Sequence, residues 1–420
     1  MLKNYIKMAL KVLLRRKVFT CISLVTISFT LMVLMVATAL FDHVFGSFPP
    51  ETRADRTLIL KMLIGENTAE EKGVTIQAPS YAFLKRYVSP LTQAEKVSIS
   101  SDFWGTDVTY RNGVKIETAY RYTDGAFWEI LEFDFLEGRP YTTKEVEDGQ
   151  RVVVINEETR RVFFGEEQAV GKYIEFSDRP FRVVGVVSNV PAFRIVPFAD
   201  IWVPRSAIET DAYQRYERLF GNSQALILAS STAAIPLIKE EFADVLTRIE
   251  YPNPDQVNRL TGGPATMLEE AARILFAIRD ISEGATDAMF FIIGLLALLF
   301  MLLPVVSLVN INTTRILERA SEIGVRKAFG GSSLTLVGQF VVENVILTLL
   351  GGALGLVLTF LVLQILGASD IVPYAEFHLN HRIFFYGLVM TLFFGLLSGI
   401  YPAWRMSRLH IVEALRRRKQ

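Results

Sequence analysis

Four stretches without a single charged side chain decide what this chain can become: Val18 to Phe41, Ala288 to Thr314, Asn344 to Ser369 and Ile383 to Trp404. Each is longer than the roughly 20 residues that cover a bilayer core. The sequence therefore predicts an α-helical membrane protein of four spans. A long polar-to-mixed region, 42–287, stands between the first and second. The expected order is a cytoplasmic segment 1–17, span one 18–41, an extracytoplasmic domain 42–287, and span two 288–314. A cytoplasmic loop 315–331, span three 334–369, an outer loop 370–382, span four 383–404 and a basic tail 405–420 complete it.

Flanking charge orients the spans. Lys3, Lys7, Lys11, Arg15, Arg16 and Lys17 precede span one with no acid among them, and the tail has Arg405, Arg408, Arg416, Arg417, Arg418 and Lys419 against Glu413 alone. Basic residues mark the cytoplasmic side, so both termini and the 315–331 loop, with Arg315, Arg319, Arg326 and Lys327, are placed inside. The whole chain is neutral, with 44 basic and 44 acidic residues. Its outer part must then be strongly acidic, which argues against a nucleic-acid partner. Ala37-Thr38-Ala39 resembles a signal-peptidase site, but the apolar run before it exceeds the 7 to 15 residues of a signal core, and span one is expected to be retained. The single cysteine, Cys21, lies within span one. The outer domain thus has no disulfide and must rest on a hydrophobic core.

That domain reads as mixed α+β. Asn112-Gly113 between Thr106–Tyr110 and Val114–Tyr122 is a two-residue hairpin signal, because both turn positions favour φ > 0. Arg151–Ile155 and Phe181–Val187 are β-branched runs. Helices are expected over Pro79–Tyr87, Gly125–Leu131, Glu157–Phe164, Ala233–Ile249 and Pro264–Arg279. A boundary is expected near Arg205–Asn222, and Pro252, Pro254, Gly262, Gly263 and Pro264 mark the return loop.

Motifs for catalysis are missing. Gly165 to Tyr173 has the wrong spacing for a phosphate loop and ends Gly171-Lys172-Tyr173 where a hydroxyl ligand for magnesium is needed. Neither Gly-x-Ser-x-Gly nor His-Glu-x-x-His occurs. His378 and His381 beside Glu376 are the nearest thing to a metal set, and two histidines without cysteines suit a solvated face better. No catalytic residue, metal ligand or directly bound cofactor is expected.

The 315–331 loop carries the informative pattern. On a helix, Arg315, Arg319, Glu322 and Arg326 form one charged stripe, with Glu322 four residues before Arg326 in the favourable order, while Ile316, Ala320 and Ile323 form an apolar one. Such a helix either lies in the membrane interface or docks a cytoplasmic partner. Gly351-x-x-x-Gly355 and Gly395-x-x-x-Gly399 permit close helix approach in lipid, suiting spans three and four packing on each other or on a neighbour. Glu343 must face protein or water, because a membrane-centre charge costs roughly 2.5–3.5 kcal/mol.

These residues resemble the MacB/FtsX-like ABC transporter permeases of the mechanotransmission type. The likeness rests on Glu322 to Gly330 (Glu-Ile-Gly-Val-Arg-Lys-Ala-Phe-Gly), on Gln339, Phe340 and Glu343, and on Gly351, Gly352 and Gly355. It continues in Gly399, Tyr401, Pro402, Ala403 and Arg405 and in Glu413-Ala414-Leu415-Arg416. Within the outer region it rests on Phe127 to Arg139, Phe164-Gly165 with Gly171-Lys172, and Phe181 to Pro191, which resemble the MacB-like periplasmic core domain. It departs from the family at Ile411, where proline is common.

The resemblance implies a permease subunit of the bacterial inner membrane that is not itself an enzyme. Arg315, Glu318, Arg319, Glu322, Ile323, Gly324, Arg326 and Lys327 would couple it to a separate ABC ATPase holding ATP and magnesium, and a second copy or paralogue would complete the unit. A periplasmic or outer-membrane partner is compatible with it. Motion would pass to the outer domain for export or extraction of a substrate. An FtsX-like regulator or sensor acting on a partner such as a cell-wall hydrolase shares every membrane feature and stays open at this stage.

Overall fold

In the computed structural model, the described residues are 17–68, 74–111, 114–207, 218–276 and 333–369, with short pieces around 14–15, 287–299, 306, 374 and 385–396. The chain divides into two compact units, one of 1–42, 290–370 and 377–420 and the other of 43–289 and 371–376.

The long helices of the first unit are α1 (Lys17–Phe45), whose residues 43–45 belong to the second unit, and a 35-residue helix, Ser333–Gly367. Among the described residues these two contain runs long and apolar enough to cross a membrane, Thr20–Phe45 and Val341–Gly367. Residues 290–296 are also helical. Val18, Val25 and Phe29 on α1, and Val357, Leu361 and Ile365 on the 35-residue helix, are largely exposed apolar side chains, as a lipid-facing surface requires.

The second unit is a mixed α/β domain built on three sheets. β1 (Thr57–Leu60), β4 (Ala94–Ser101), β12 (Ser223–Ala229) and β14 (Ala265–Thr266) form an antiparallel sheet in the order β14-β1-β12-β4. β5 (Gly105–Arg111), β6 (Val114–Thr123), β7 (Phe135–Gly138), β8 (Val152–Asn156), β9 (Tyr173–Phe176), β10 (Arg179–Val187) and β11 (Ile201–Pro204) form the second, ordered β5-β6-β11-β8-β10-β7 with β9 on β10. Its β8–β10 and β6–β11 pairs are parallel. A small third sheet joins β13 (Arg259–Thr261), β2 (Leu63–Glu66) and β3 (Thr75–Gln77). All of the second sheet comes from 105–204, so the chain leaves the first sheet after Ser101 and re-enters it at Ser223.

The central strands of both large sheets are covered on both faces. Leu58 and Leu60 of β1, with Ala225, Ile227 and Ala229 of β12, enter one core with Phe83, Leu84, Ile238 and Phe242. Ile59, Leu226 and Leu228 point the other way and meet Phe127, Trp128, Val152, Val154 and Trp202. Val153, Ile155, Ile201 and Val203 turn to a third core with Phe163, Phe176 and Phe181. Leu58–Leu60 of β1 and Ala225–Ala229 of β12 are apolar at successive positions because both faces are buried, so these strands lack the alternation that marks a half-exposed strand. The sequence reading passes them over for that reason.

Elements with local signals are present. The hairpin pairs Arg111 with Val114, and the 157–164 helix is N-capped by Asn156, whose side chain accepts from Thr159 N at 2.8 Å. The expected helix Pro264–Arg279 is corrected at its start. Ala265–Thr266 pair with β1, and the helix runs Met267–Phe276 once Thr266 and Glu269 close a capping box. Its expected continuation to Arg279 lies outside the described residues.

Gly138 fixes the meeting of β7 with β10. Its φ is +67°, its strand partner is Gly185, and a Cβ on it would stand 2.2 Å from the Val184 carbonyl oxygen. Gly138→Ala is expected to lower the unfolding free energy of the second unit by at least about 1–3 kcal/mol from backbone strain alone. Urea titration followed by tryptophan fluorescence measures it, since Trp104, Trp128 and Trp202 all lie in this domain.

Candidate functional site

Within the first unit, Gly351 and Gly355 face α1. A Cβ on Gly351 would lie 2.6 Å from Ile27 Cγ2, and one on Gly355 would lie 3.1 Å from the Ser28 carbonyl oxygen and 3.3 Å from Leu31 Cβ. The described contacts of this glycine pair are thus with span one. Buried polar side chains accompany the seam: Ser23, Ser28, Glu343, Asn344, Thr348 and Thr359. Ser28, Thr348 and Thr359 donate to carbonyls one turn back, at Leu24, Asn344 and Gly355. That satisfies them without water and lets two helices touch through small groups. Glu343 stands just before the uncharged run and is 4% exposed.

Within the second unit, a coil between β10 and β11, residues 191–200, is held almost entirely by buried side chains. Arg121 donates to the carbonyls of Ser101 and Ile195, both at 2.6 Å, and of Phe198 at 3.3 Å. Trp202 Nε1 donates to Pro197 O at 3.1 Å, and Trp104 meets the Phe198 ring edge-on at 4.9 Å. Burial brings Arg121 down to about 10, which leaves it charged at neutral pH.

Arg194 projects from this coil onto residues 43–51 of the same unit, where α1 ends. Its guanidinium donates to His43 O at 3.1 Å, Gly46 O at 3.4 Å, Phe48 O at 2.9 Å and Glu51 Oε2 at 3.1 Å, and it lies 5.9 Å from the centre of the Phe48 ring. The His43 and Phe193 rings meet at 5.1 Å. A helix ends in carbonyls that lack partners, and a cation is favoured there by the helix dipole. Arg194 supplies both donor and charge. With 2% and 6% of their side chains exposed, Arg194 and Glu51 form a buried ion pair.

Desolvation outweighs Arg194 at Glu51 and lifts its carboxyl to about 7, and burial likewise lowers Arg194. A carboxyl raised in the folded state contributes stability that is fully present below its ordinary value of 4.5 and is lost as pH rises through about 7. Glu51→Gln should therefore gain stability relative to the parent across that window, by up to about 3 kcal/mol. Urea titrations of both proteins at pH 4.5 and pH 7.5 check it, and a constant difference would refute the assignment.

The coupling residues Arg315, Glu318, Arg319, Glu322, Ile323, Gly324, Arg326 and Lys327 lie outside the described residues. So do Gly395, Gly399, Glu376, His378 and His381. Among the described residues no three or more His, Cys, Asp or Glu side chains group as metal ligands. Sequence reading missed Arg121, Arg194 and Asp200. For Arg194 the available signal was Pro191-Ala-Phe-Arg-Ile-Val-Pro-Phe198, a lone cation in a proline-bounded apolar run.

Residues 20–245 match the MacB-like periplasmic core domain, and residues 294–411 match the FtsX-like permease C-terminal family. The chain belongs to the MacB/FtsX-like permease family. It is 24% identical over 413 residues to the macrolide export ATP-binding/permease protein MacB of Pasteurella multocida (strain Pm70), covering 97% of this chain and 59% of that one. With the uncharacterized ABC transporter permease YvrN of Bacillus subtilis (strain 168) it shares 25% identity over 315 residues, 74% of this chain and 73% of that one. The crystal structure of the periplasmic region of MacB from Actinobacillus actinomycetemcomitans aligns with a TM-score of 0.34 at 18% identity, covering 45% of this chain and 84% of that one.

Proposed function

We propose that this chain is the permease subunit of an ABC transporter and that it carries motion, driven by a separate cytoplasmic ATPase, to the outer domain for export or extraction of a substrate. On this reading it has four spans with both termini in the cytoplasm, sits in the bacterial inner membrane, and works as a pair. ATP and magnesium belong to the ATPase. The observation that carries the reading is the grip of Arg194 on the end of α1. A domain meant only to bind a ligand outside the membrane has no need of a buried cation on the end of a span. A domain meant to be moved by that span does.

The intramembrane seam supports the same reading. Gly351 and Gly355 bring the backbone of the 35-residue helix onto Ile27, Ser28 and Leu31 of α1. Displacement of the loop before that helix would thus reach span one through backbone contact. The 315–331 loop would be the docking element, with Glu322 and Arg326 against the ATPase.

Affinity purification through a tag on this chain tests the assignment. An ABC ATPase should co-purify with the parent, and Arg326→Glu should lose it while still inserting in the membrane. Full ATPase recovery with Arg326→Glu would rule out the docking role, and recovery of no ATPase with the parent would rule out the permease assignment.

A further inference from the structure

The 191–200 coil touches a second point of the chain. Tyr374, beyond the 35-residue helix in sequence, donates its hydroxyl to Asp200 Oδ1 at 2.8 Å, and its ring centre lies 6.4 Å from that of Phe198. Tyr374 belongs to the second unit. We propose that Tyr374 is a releasable anchor, with Asp200 and Phe198 as its seat on the same coil that Arg194 ties to the end of α1. The proposal rests on the force-transmitting reading and adds to it the point at which the outer domain grips and lets go.

Three observations make the seat built and the anchor removable. Asp200 is fixed without Tyr374: Asn156 Nδ2 donates to Oδ1 at 2.9 Å and Ala119 N to Oδ2 at 2.7 Å, while Asp200 N donates to Ala119 O and Asn156 N to Asp200 O. Loss of Tyr374 would therefore strand no buried oxygen, which is the costly outcome when a partner is removed. Phe198 is fixed as well, its carbonyl bonded to Arg121 and its ring to Trp104. On the other side of the contact, Tyr374 has φ +60°, in the left-handed region that bulky residues avoid. Docking strains its backbone and release relieves it, so the hydroxyl–carboxylate bond works against a built-in opposing term. Burial and the neighbouring carboxylate raise the Tyr374 phenol, which keeps it the donor.

Hydrogen exchange of the peptide containing 371–376 tests the proposal, using the full chain in nanodiscs with the ATPase that co-purifies. The peptide should exchange slowly without nucleotide and several-fold faster in Tyr374→Phe, which removes one hydroxyl and leaves the fold intact. ATP with vanadate should accelerate it in the parent and add nothing in Tyr374→Phe. Equal exchange in parent and Tyr374→Phe would overturn the anchor. Protection unchanged by ATP and vanadate, while ATP is being hydrolysed, would make the contact a fixed brace and overturn release. If no ATPase co-purifies the permease reading fails, and the contrast between the parent and Tyr374→Phe in the chain alone then decides the anchor.

Discussion

Arg194→Met is expected to be among the most damaging single changes in the outer domain, lowering its unfolding free energy by about 3–5 kcal/mol, the usual cost of breaking a buried ion pair from one side. The guanidinium serves three carbonyls and one carboxylate, and no water-accessible path substitutes for it at 2% exposure. Glu51, already lifted to about 7 with its partner in place, should take up a proton when the partner is removed. Arg194→Met combined with Glu51→Gln should then recover part of the stability, because the stranded acid is gone, but the charge-assisted bonds to the carbonyls of His43, Gly46 and Phe48 stay lost. Coupling should not recover at all. Urea titration of tryptophan fluorescence gives the stability of each variant, and hydrolysis by the co-purified ATPase shows that the membrane part is intact. A double variant with restored stability and full cellular function would reduce Arg194 to packing.

The second large effect is expected in the membrane. Gly351→Leu places a branched side chain where a single Cβ already falls 2.6 Å from Ile27 Cγ2 and 2.9 Å from Ile27 Cβ. Overpacking of this kind costs about 1–3 kcal/mol, and here it acts by forcing two helices apart. Gly338 is the internal control, because a Cβ built there meets nothing within 4 Å. Gly338→Ala should be silent, Gly351→Leu should abolish function with the outer domain still folded, and Ile27→Ala should partly rescue Gly351→Ala. Cellular complementation with outer-domain fluorescence as the folding control separates these outcomes.

Legibility in the sequence followed local signal strength. The 105–123 hairpin and the Val152–Asn156 strand were visible because Asn112-Gly113 and a β-branched run each act within a few residues, and the 157–164 helix has the bounds expected of it. Thr57–Leu60 and Ser223–Ala229 were not visible, because burial on both faces removes the alternation, and only contacts across about 170 residues of chain pair them. Glu343, Gly351 and Gly355 stand out in the sequence because charge and small residues are conspicuous in an apolar run. What the glycines touch does not, since spacing gives a surface without its partner. Arg121 on β6 and Arg194 and Asp200 in coil were hidden for the opposite reason: charged residues are usually solvated, and only the fold shows these three buried.

The central claim is that nucleotide in the ATPase moves the outer domain. A spin label on Lys115→Cys in a Cys21→Ser background, one per chain, tests it in the purified complex in nanodiscs, because Lys115 is exposed on the hairpin of the outer domain. Dipolar coupling between two copies should be present, and ATP with vanadate should shift the distance distribution by several ångströms. Absence of coupling, or a distribution that stays fixed while ATP is hydrolysed, would contradict a paired, force-transmitting permease.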